Sequence, residues 1–223
     1  MSTFANRSLR AGVVAIAPAL LLAALSYHPY LPGRQPNIEA LAAAVAAGPT
    51  RWGVAHLATG LASGVLALAF LAIRSHLRAA GENRWSAPAL PLVVIGSTLY
   101  AMLPAMEFAP LAANEAGGDI AAAQIAILPW FIPILVAGGI TFAASMFGFA
   151  VGVSRSGVLS PWPARLVAAA LVVMALSRVV PLSTIQFHLQ GVAGFVALLP
   201  LAYSMRNYPA TPVLAQHRTR HAT

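Results

Sequence analysis

Long apolar stretches separated by short polar segments are the dominant pattern of this chain. The apolar stretches cover about residues 11–27, 52–74, 88–111, 124–152, 163–181 and 184–204. Each is long enough for a membrane crossing, which takes about 20 helical residues. The pattern therefore predicts an all-α polytopic bundle of about six transmembrane helices, forming a single domain over residues 1–208. Residues 209–223 are predicted to be a polar cytoplasmic tail.

Turn and cap residues divide this pattern further. Three prolines and then Asn37 follow the first stretch, and Asn37 can cap a short alanine-rich helix at about 38–47, which is predicted as a lid. Further helix starts are predicted from Gly117-Gly118-Asp119, from Ser160-Pro161, and from the capping-box spacing of Ser183 and Gln186. Two glycine pairs, Gly60-xxx-Gly64 and Gly148-xxx-Gly152, have the spacing that lets membrane helices approach closely.

Charge gives the bundle an orientation. All thirteen basic residues are arginine, and ten of them fall on one side if the stretches alternate across a bilayer. The other side keeps Arg34, Arg51 and Arg178. This positive-inside bias predicts a multi-pass plasma-membrane protein with both termini in the cytoplasm. The first stretch also has the arginine-then-apolar pattern of a signal peptide, but the bias holds only if that stretch remains as a span.

Composition excludes several classes of protein. Only 8% of residues are charged, far fewer than the roughly 25% of a soluble domain. The net charge is +8, but the arginines that produce it flank the apolar stretches. Membrane topology explains such an arrangement, so no nucleic-acid partner is predicted. The absence of cysteine excludes disulfides and thiolate metal sites, and the absence of lysine excludes a retinal Schiff base. The expected partner is the lipid bilayer, and no motif establishes whether the protein is an enzyme.

Polar side chains concentrate near the outer ends of several predicted helices, where they are cheaper than at the bilayer centre. The predicted ligand-binding residues are His56, Tyr100, Glu107, Gln124, Arg178 and His188. Thr59 and Ser63 extend the face of His56 inward at helical spacing, and His28 lies near the same level. We expect an outward-facing polar pocket. The alternative is that these groups lie at headgroup level and only solvate helix ends.

Glu107 and Arg178 allow two interpretations. They can form a structural ion pair that locks the third and fifth helices together. Alternatively, Glu107 handles a proton or binds substrate while Arg178 holds an anionic ligand. The sequence does not reveal whether the two side chains touch.

Two histidines at equal depth suggest a cofactor. His56 and His188 on different helices suit the bis-imidazole ligation of a b-type haem. Together with Glu107, and with His28 as an optional further ligand, they also form a ligand set for a divalent metal such as zinc or iron. Haem b and a divalent metal are therefore both candidate cofactors, although no close-spaced motif such as HExxH supports either.

Two junctions in the chain carry a resemblance. The run from Gly48 to Leu57, Gly-Pro-Thr-Arg-Trp-Gly-Val-Ala-His-Leu, and the pair His28-Pro29 match residues at the same junctions of a protein group. The chain resembles poorly characterised six-helix polytopic membrane proteins of GC-rich, actinobacterial-type bacteria. The resemblance implies six helices and no particular activity.

These observations favour a binding function. The pocket is expected to bind a small amphipathic ligand, a lipid headgroup or a metal, in an accessory subunit or sensor. One alternative is a proton-coupled small-molecule carrier in which Glu107 titrates, although the apolar inner halves of the helices count against it. The other is a membrane oxidoreductase with haem or a His/Glu metal site between the second and sixth helices.

Overall fold

The structure is a computed structural model that describes residues 2–207, with side chains from residue 6 onward. Its elements are all helices over that range: α1 (Ser2–Tyr27), α2 (Ile38–Ala47), α3 (Pro49–Ala79), α4 (Ser86–Met106), α5 (Phe108–Glu115), α6 (Ile120–Ser156), α7 (Pro161–Leu176) and α8 (Ser183–Asn207). A short 3-10 helix, Ser177–Val179, continues α7. The predicted tail, residues 209–223, lies outside the described residues.

Six helical segments among residues 2–207 are long and apolar enough to cross a membrane, which confirms the predicted all-α bundle. The third of these segments, Ser86–Glu115, contains the predicted range 88–111 but is interrupted within it. α4 ends at Met106 and α5 begins at Phe108, with Glu107 at the junction. Pro110 explains the break, since proline lacks the N–H that would bond to Met106 and its ring crowds that carbonyl.

The six apolar helical segments form a closed ring in chain order, because each packs against its predecessor and α8 returns to pack against α1. Neighbouring helices run antiparallel. Gly191 of α8 lies against Leu22, and Gly194 one turn later lies against the earlier Pro18 of α1. We call the end where α1 begins and α8 ends the terminal end. The opposite end, where α2 and α5 lie, is the pocket end.

The interior of the terminal half is filled with apolar side chains. Phe70 of α3 and Phe149 of α6 meet across the ring with centroids 4.8 Å apart, and both are fully buried. Further buried side chains from α3, α6 and α8 surround them: Ile73, Leu77, Val153, Leu198 and Leu201. This packing fills the interior of the ring between the pocket end and the terminal end.

Only one of the two glycine pairs lies at a close helix contact. A Cβ at Gly148 would lie 2.7 Å from the Ala89 Cβ, and one at Gly152 would lie 3.1 Å from Glu82 Oε2. A Cβ at Gly60 would meet nothing closer than 3.9 Å, and one at Gly64 would meet nothing within 4 Å. The second pair therefore brings α6 against the start of α4, whereas the first pair has no such role.

The predicted helix starts have mixed outcomes. Asn37 caps α2, since its Oδ1 accepts a hydrogen bond from the Ala40 N–H at 3.1 Å, and Asp119 caps α6 in the same way. Ser160 precedes Pro161 at the start of α7, but its side chain makes no capping bond. The capping box at Ser183 was wrong, because that residue lies inside α8 and its hydroxyl donates to the Leu31 carbonyl at 3.3 Å.

Candidate functional site

A cavity of about 510 Å³ occupies the pocket end of the ring, a size typical of small-molecule sites. Most of its wall is apolar and comes from the leucines and phenylalanines of several helices. Its polar lining includes His28, His56, Thr59, Ser63, Tyr100, Glu107, Gln124, Arg178, Gln186 and Gln190. α2 contributes Ile38 and Leu41 to the lining. The short helix predicted as a lid is therefore part of the cavity wall.

Glu107 presents a half-satisfied carboxyl group to this cavity. The side chain is only 6% exposed, and its Oε1 accepts a hydrogen bond from Gln124 Nε2 at 3.1 Å. Its Oε2 is buried without a hydrogen-bond partner, as is Oε1 of Gln124. Buried polar atoms usually have partners, so these two oxygens mark a place where a ligand donor would be stabilised.

Trp52 holds the backbone of Glu107 in position. Its Nε1–H donates to the Glu107 carbonyl at 3.1 Å, which satisfies a carbonyl at the break between α4 and α5. Tryptophans near the ends of membrane helices commonly lie at the lipid interface, but this side chain is only 1% exposed. Its position one helical turn before His56 was the signal for the same inward face.

Arg178 lies on the 3-10 helix after α7, with its guanidinium carbon 3.4 Å from the Tyr100 ring centroid and 4.4 Å from that of Phe142. Such stacking stabilises a cation that is withdrawn from water. Arg178 makes no ion pair with Glu107, and its Nε is buried without a hydrogen-bond partner. The structure thus does not contain the ion pair that one interpretation of the sequence required.

The rings of His28 and His56 contact each other in the lining of the cavity. The Nδ1 atom of His56 lies 2.7 Å from the Trp52 carbonyl oxygen, and that of His28 lies 2.8 Å from the Pro29 carbonyl oxygen. Their Nε2 atoms are 3.3 Å apart. Burial lowers the pKa of His28, the charge of Arg51 also lowers it, and the bond to Pro29 partly opposes both. His28 is therefore neutral at pH 7.

His188 does not join the site. It is exposed, its Nδ1–H donates to the Thr184 carbonyl at 2.8 Å, and it does not line the cavity. At about 100° per residue, His188 lies on the face of α8 roughly opposite Gln186 and Gln190, which do line it. Equal depth along two helices did not place the two histidines on facing sides.

This rotation of α8 separates the two histidines that the cofactor predictions placed together. His56 and His188 do not face each other as ligands of a b-type haem would. The metal set of His56, His188 and Glu107 is not assembled, and residues 6–207 contain no group of three or more His, Asp or Glu side chains arranged to hold a metal. The remaining predicted residues, His56, Tyr100, Glu107, Gln124 and Arg178, all line the same cavity.

The chain matches no protein-family model, and no curated protein or solved structure matches it. The resemblance to six-helix membrane proteins of GC-rich bacteria therefore stays a prediction. The function has to be inferred from the geometry of the pocket.

Proposed function

We propose that the protein binds a small amphipathic molecule with an acidic head, such as a carboxylate or a phosphate, in the cavity at the pocket end. The head lies on Arg178 and the apolar tail lies along the leucine and phenylalanine walls. The protein resides in the plasma membrane with both termini cytoplasmic, so that the pocket opens outward, and it acts as an accessory subunit or sensor. A lipid headgroup carries the same acidic chemistry.

The observation that carries this proposal is the guanidinium of Arg178, whose Nε is buried without a hydrogen-bond partner and which forms no ion pair with Glu107. A buried charge is costly unless it is paired and hydrogen-bonded. Tyr100 and Phe142 contact this group, but neither is an acidic side chain that would form a salt bridge with it. Because a guanidinium presents several donors along its edge, a planar or tetrahedral anion is the group that satisfies it best.

Glu107 and the cavity walls define the rest of the ligand. The free Oε2 of Glu107 suits a hydroxyl or ammonium donor on the same head. The apolar part of the wall includes Leu21, Leu103 and Leu135, one from each of α1, α4 and α6, and these leucines suit an apolar tail. A molecule with one polar head and one short apolar tail therefore fits better than a sugar.

The filled terminal half supports binding rather than transport. A carrier needs a path to the other side, and ionisable or polar residues usually mark such a path. Phe70 and Phe149 instead meet across the ring below the cavity. The carrier alternative requires these side chains to separate during the cycle.

The test uses radiolabelled decyl phosphate and full-length protein in nanodiscs of zwitterionic lipid. Arg178→Gln should weaken decyl phosphate binding at least about tenfold, because a hydrogen bond to a charged group contributes about 1.5–3 kcal/mol. Neutral decanol should bind both proteins equally. Arg165→Gln is the matched control, since Arg165 is exposed near the start of α7 at the terminal end.

Equal affinity of wild type and Arg178→Gln for decyl phosphate would contradict the proposal. A second experiment distinguishes a lipid headgroup from a free small ligand, by mass spectrometry of molecules extracted with the purified protein. A lipid retained by wild type and lost from Arg178→Gln would assign the site to a headgroup. A retained small amphiphile would assign it to a free ligand.

A further inference from the structure

In the contact between His28 and His56, the Nδ1 atom of each ring is already engaged with a backbone carbonyl. Each Nδ1 atom lies within hydrogen-bond distance of a backbone carbonyl oxygen, at 2.8 Å for His28 and 2.7 Å for His56. A carbonyl can only accept, so both Nδ1 atoms must carry the proton. In a neutral imidazole the other nitrogen is then an acceptor.

The two Nε2 atoms therefore approach each other as two lone pairs. They are 3.3 Å apart, and neither neutral ring can donate to the other. The rings meet edge-on at 63°, an arrangement that aromatic rings favour, but here it brings two lone pairs together. An electrophile between the two nitrogens, either a proton or a metal ion, would turn the repulsion into attraction.

We propose that His28 and His56 bind a zinc ion through their Nε2 atoms. Zn–N bonds of about 2.0–2.1 Å at a tetrahedral angle place two imidazole nitrogens about 3.3 Å apart. Square-planar ligands at about 90° would be about 2.9 Å apart, and linear ligands about 4 Å apart. The observed 3.3 Å matches the tetrahedral arrangement that zinc adopts.

The surroundings of the pair match those of metal-binding histidines. Such histidines usually donate the second ring N–H to a carbonyl or carboxylate, which fixes the tautomer and the ring orientation. Here both rings do so. The fully buried Trp52 also packs on both rings, with centroids 4.3 Å from His56 and 5.4 Å from His28.

Two imidazoles leave two positions of a tetrahedral zinc ion open. No third His, Asp or Glu among residues 6–207 joins the pair as a metal ligand. Both histidines line the cavity, so the open positions face its interior and take water or an acidic ligand head. The zinc site stands without the proposed amphipathic ligand, because its two protein ligands are held by the backbone.

The test measures zinc on full-length protein purified in detergent without a polyhistidine tag. After dialysis against a chelator, the protein is titrated with zinc chloride alone and the bound metal is measured by elemental analysis. Wild type should bind about one zinc per chain. His28→Ala and His56→Ala should each weaken binding at least about tenfold, whereas His188→Ala and His76→Ala should bind as wild type does.

A second measurement, on the wild type, tests the proposal even where the alanine variants do not fold. X-ray absorption of the zinc-loaded wild type should show two imidazole nitrogens at about 2.0–2.1 Å. The proposal is overturned if wild type binds no zinc, if folded His28→Ala and His56→Ala bind it as wild type does, or if fewer than two imidazoles ligate the metal. The first of these outcomes would assign the pair to a shared proton. Decyl phosphate binding is measured separately, so either proposal can fail without the other.

Discussion

The two halves of the ring are built from the same kinds of helix but use their polar groups differently. The terminal half buries Phe70 and Phe149 in direct contact. The pocket half surrounds a cavity of about 510 Å³ with uncommitted polar atoms on Glu107, Gln124 and Arg178. Unpartnered buried polar atoms also occur at the terminal end, on Arg74, Trp85 and Ser86, but those residues do not line this cavity. Since unpartnered buried polar groups are costly, the ones that line the cavity mark it as the candidate binding site.

Two carboxylates make the contrast concrete. Glu82, in the connection between α3 and α4, accepts hydrogen bonds from the backbone N–H groups of Trp85 at 2.7 Å and Ser86 at 3.2 Å. These donors lie at the start of α4 and lack partners within the helix. Glu107 has one donor and one free oxygen. The first carboxylate stabilises a helix, and the second is available to a ligand.

The largest expected effect comes from a pair of phenylalanines on α6. Phe149→Ala opens a void in the filled half and should lower the free energy of unfolding by about 3–5 kcal/mol. Phe131 is half-buried and lines the cavity, so Phe131→Ala should cost only about 1 kcal/mol. Unfolding of both variants in detergent checks this. Equal losses would mean that the two halves are packed alike.

A smaller effect is expected from glycine substitutions. Gly148→Ala places a Cβ 2.7 Å from the Ala89 Cβ, so α4 and α6 must separate at a cost of about 1–3 kcal/mol. Gly64 is exposed with no neighbour near its Cβ position, so Gly64→Ala should be neutral or slightly stabilising. Thermal unfolding in the same detergent compares them. A stable Gly148→Ala would show that this contact does not limit the packing of the terminal half.

The smallest stability effect separates the two carboxylates. Glu82→Gln should cost about 1 kcal/mol at pH 7, as the loss of a helix cap does, and leave decyl phosphate binding unchanged. Glu107→Gln should leave stability within about 0.5 kcal/mol and change ligand binding severalfold. Exchanged outcomes, with Glu82→Gln impairing binding and Glu107→Gln impairing stability, would invert the assignment of the two ends.

The effect of Glu82 should also depend on pH. Burial by itself raises the pKa of this carboxyl, but Ser86, the two backbone N–H groups and Arg74 outweigh burial and hold the pKa below its ordinary value of 4.5. The folded state therefore binds the proton less readily than the unfolded state. The stability difference between wild type and Glu82→Gln should be complete above pH 4.5 and shrink as pH falls further. A difference that grows on acidification would contradict this.

The sequence predicted the positions of groups along the helices better than their rotation around them. Hydrophobic runs and caps were sufficient for the spanning helices and for α2, and helical rise placed His56, Glu107 and Arg178 at one level. Rotation depends on contacts between distant residues. A Cβ at Gly191 would lie 2.5 Å from Leu22 Cδ1, and this close packing of α8 on α1 turns Gln190 inward and leaves His188 outside. No periodicity within α8 predicts which neighbour its glycine meets.

The burial of Trp52 and the pairing of His28 with His56 also depend on contacts between distant residues, so the sequence did not predict them. Tryptophans near span ends are common at lipid interfaces, so the burial of Trp52 depended on α4 ending where its indole N–H reaches the Glu107 carbonyl. His28 follows the end of α1, and its place in the pair depends on the packing of α1 against α3.

The most direct test of the pocket is photo-crosslinking in nanodiscs with a decyl phosphate analogue that carries a diazirine at the end of its tail. Peptide mapping should then locate the label on the cavity walls, at residues such as Leu21, Leu103 and Leu135, and Arg178→Gln should abolish this labelling. Labelling confined to exposed outer-surface residues such as Trp130 and Ile140, and unchanged by Arg178→Gln, would contradict a ligand-binding pocket.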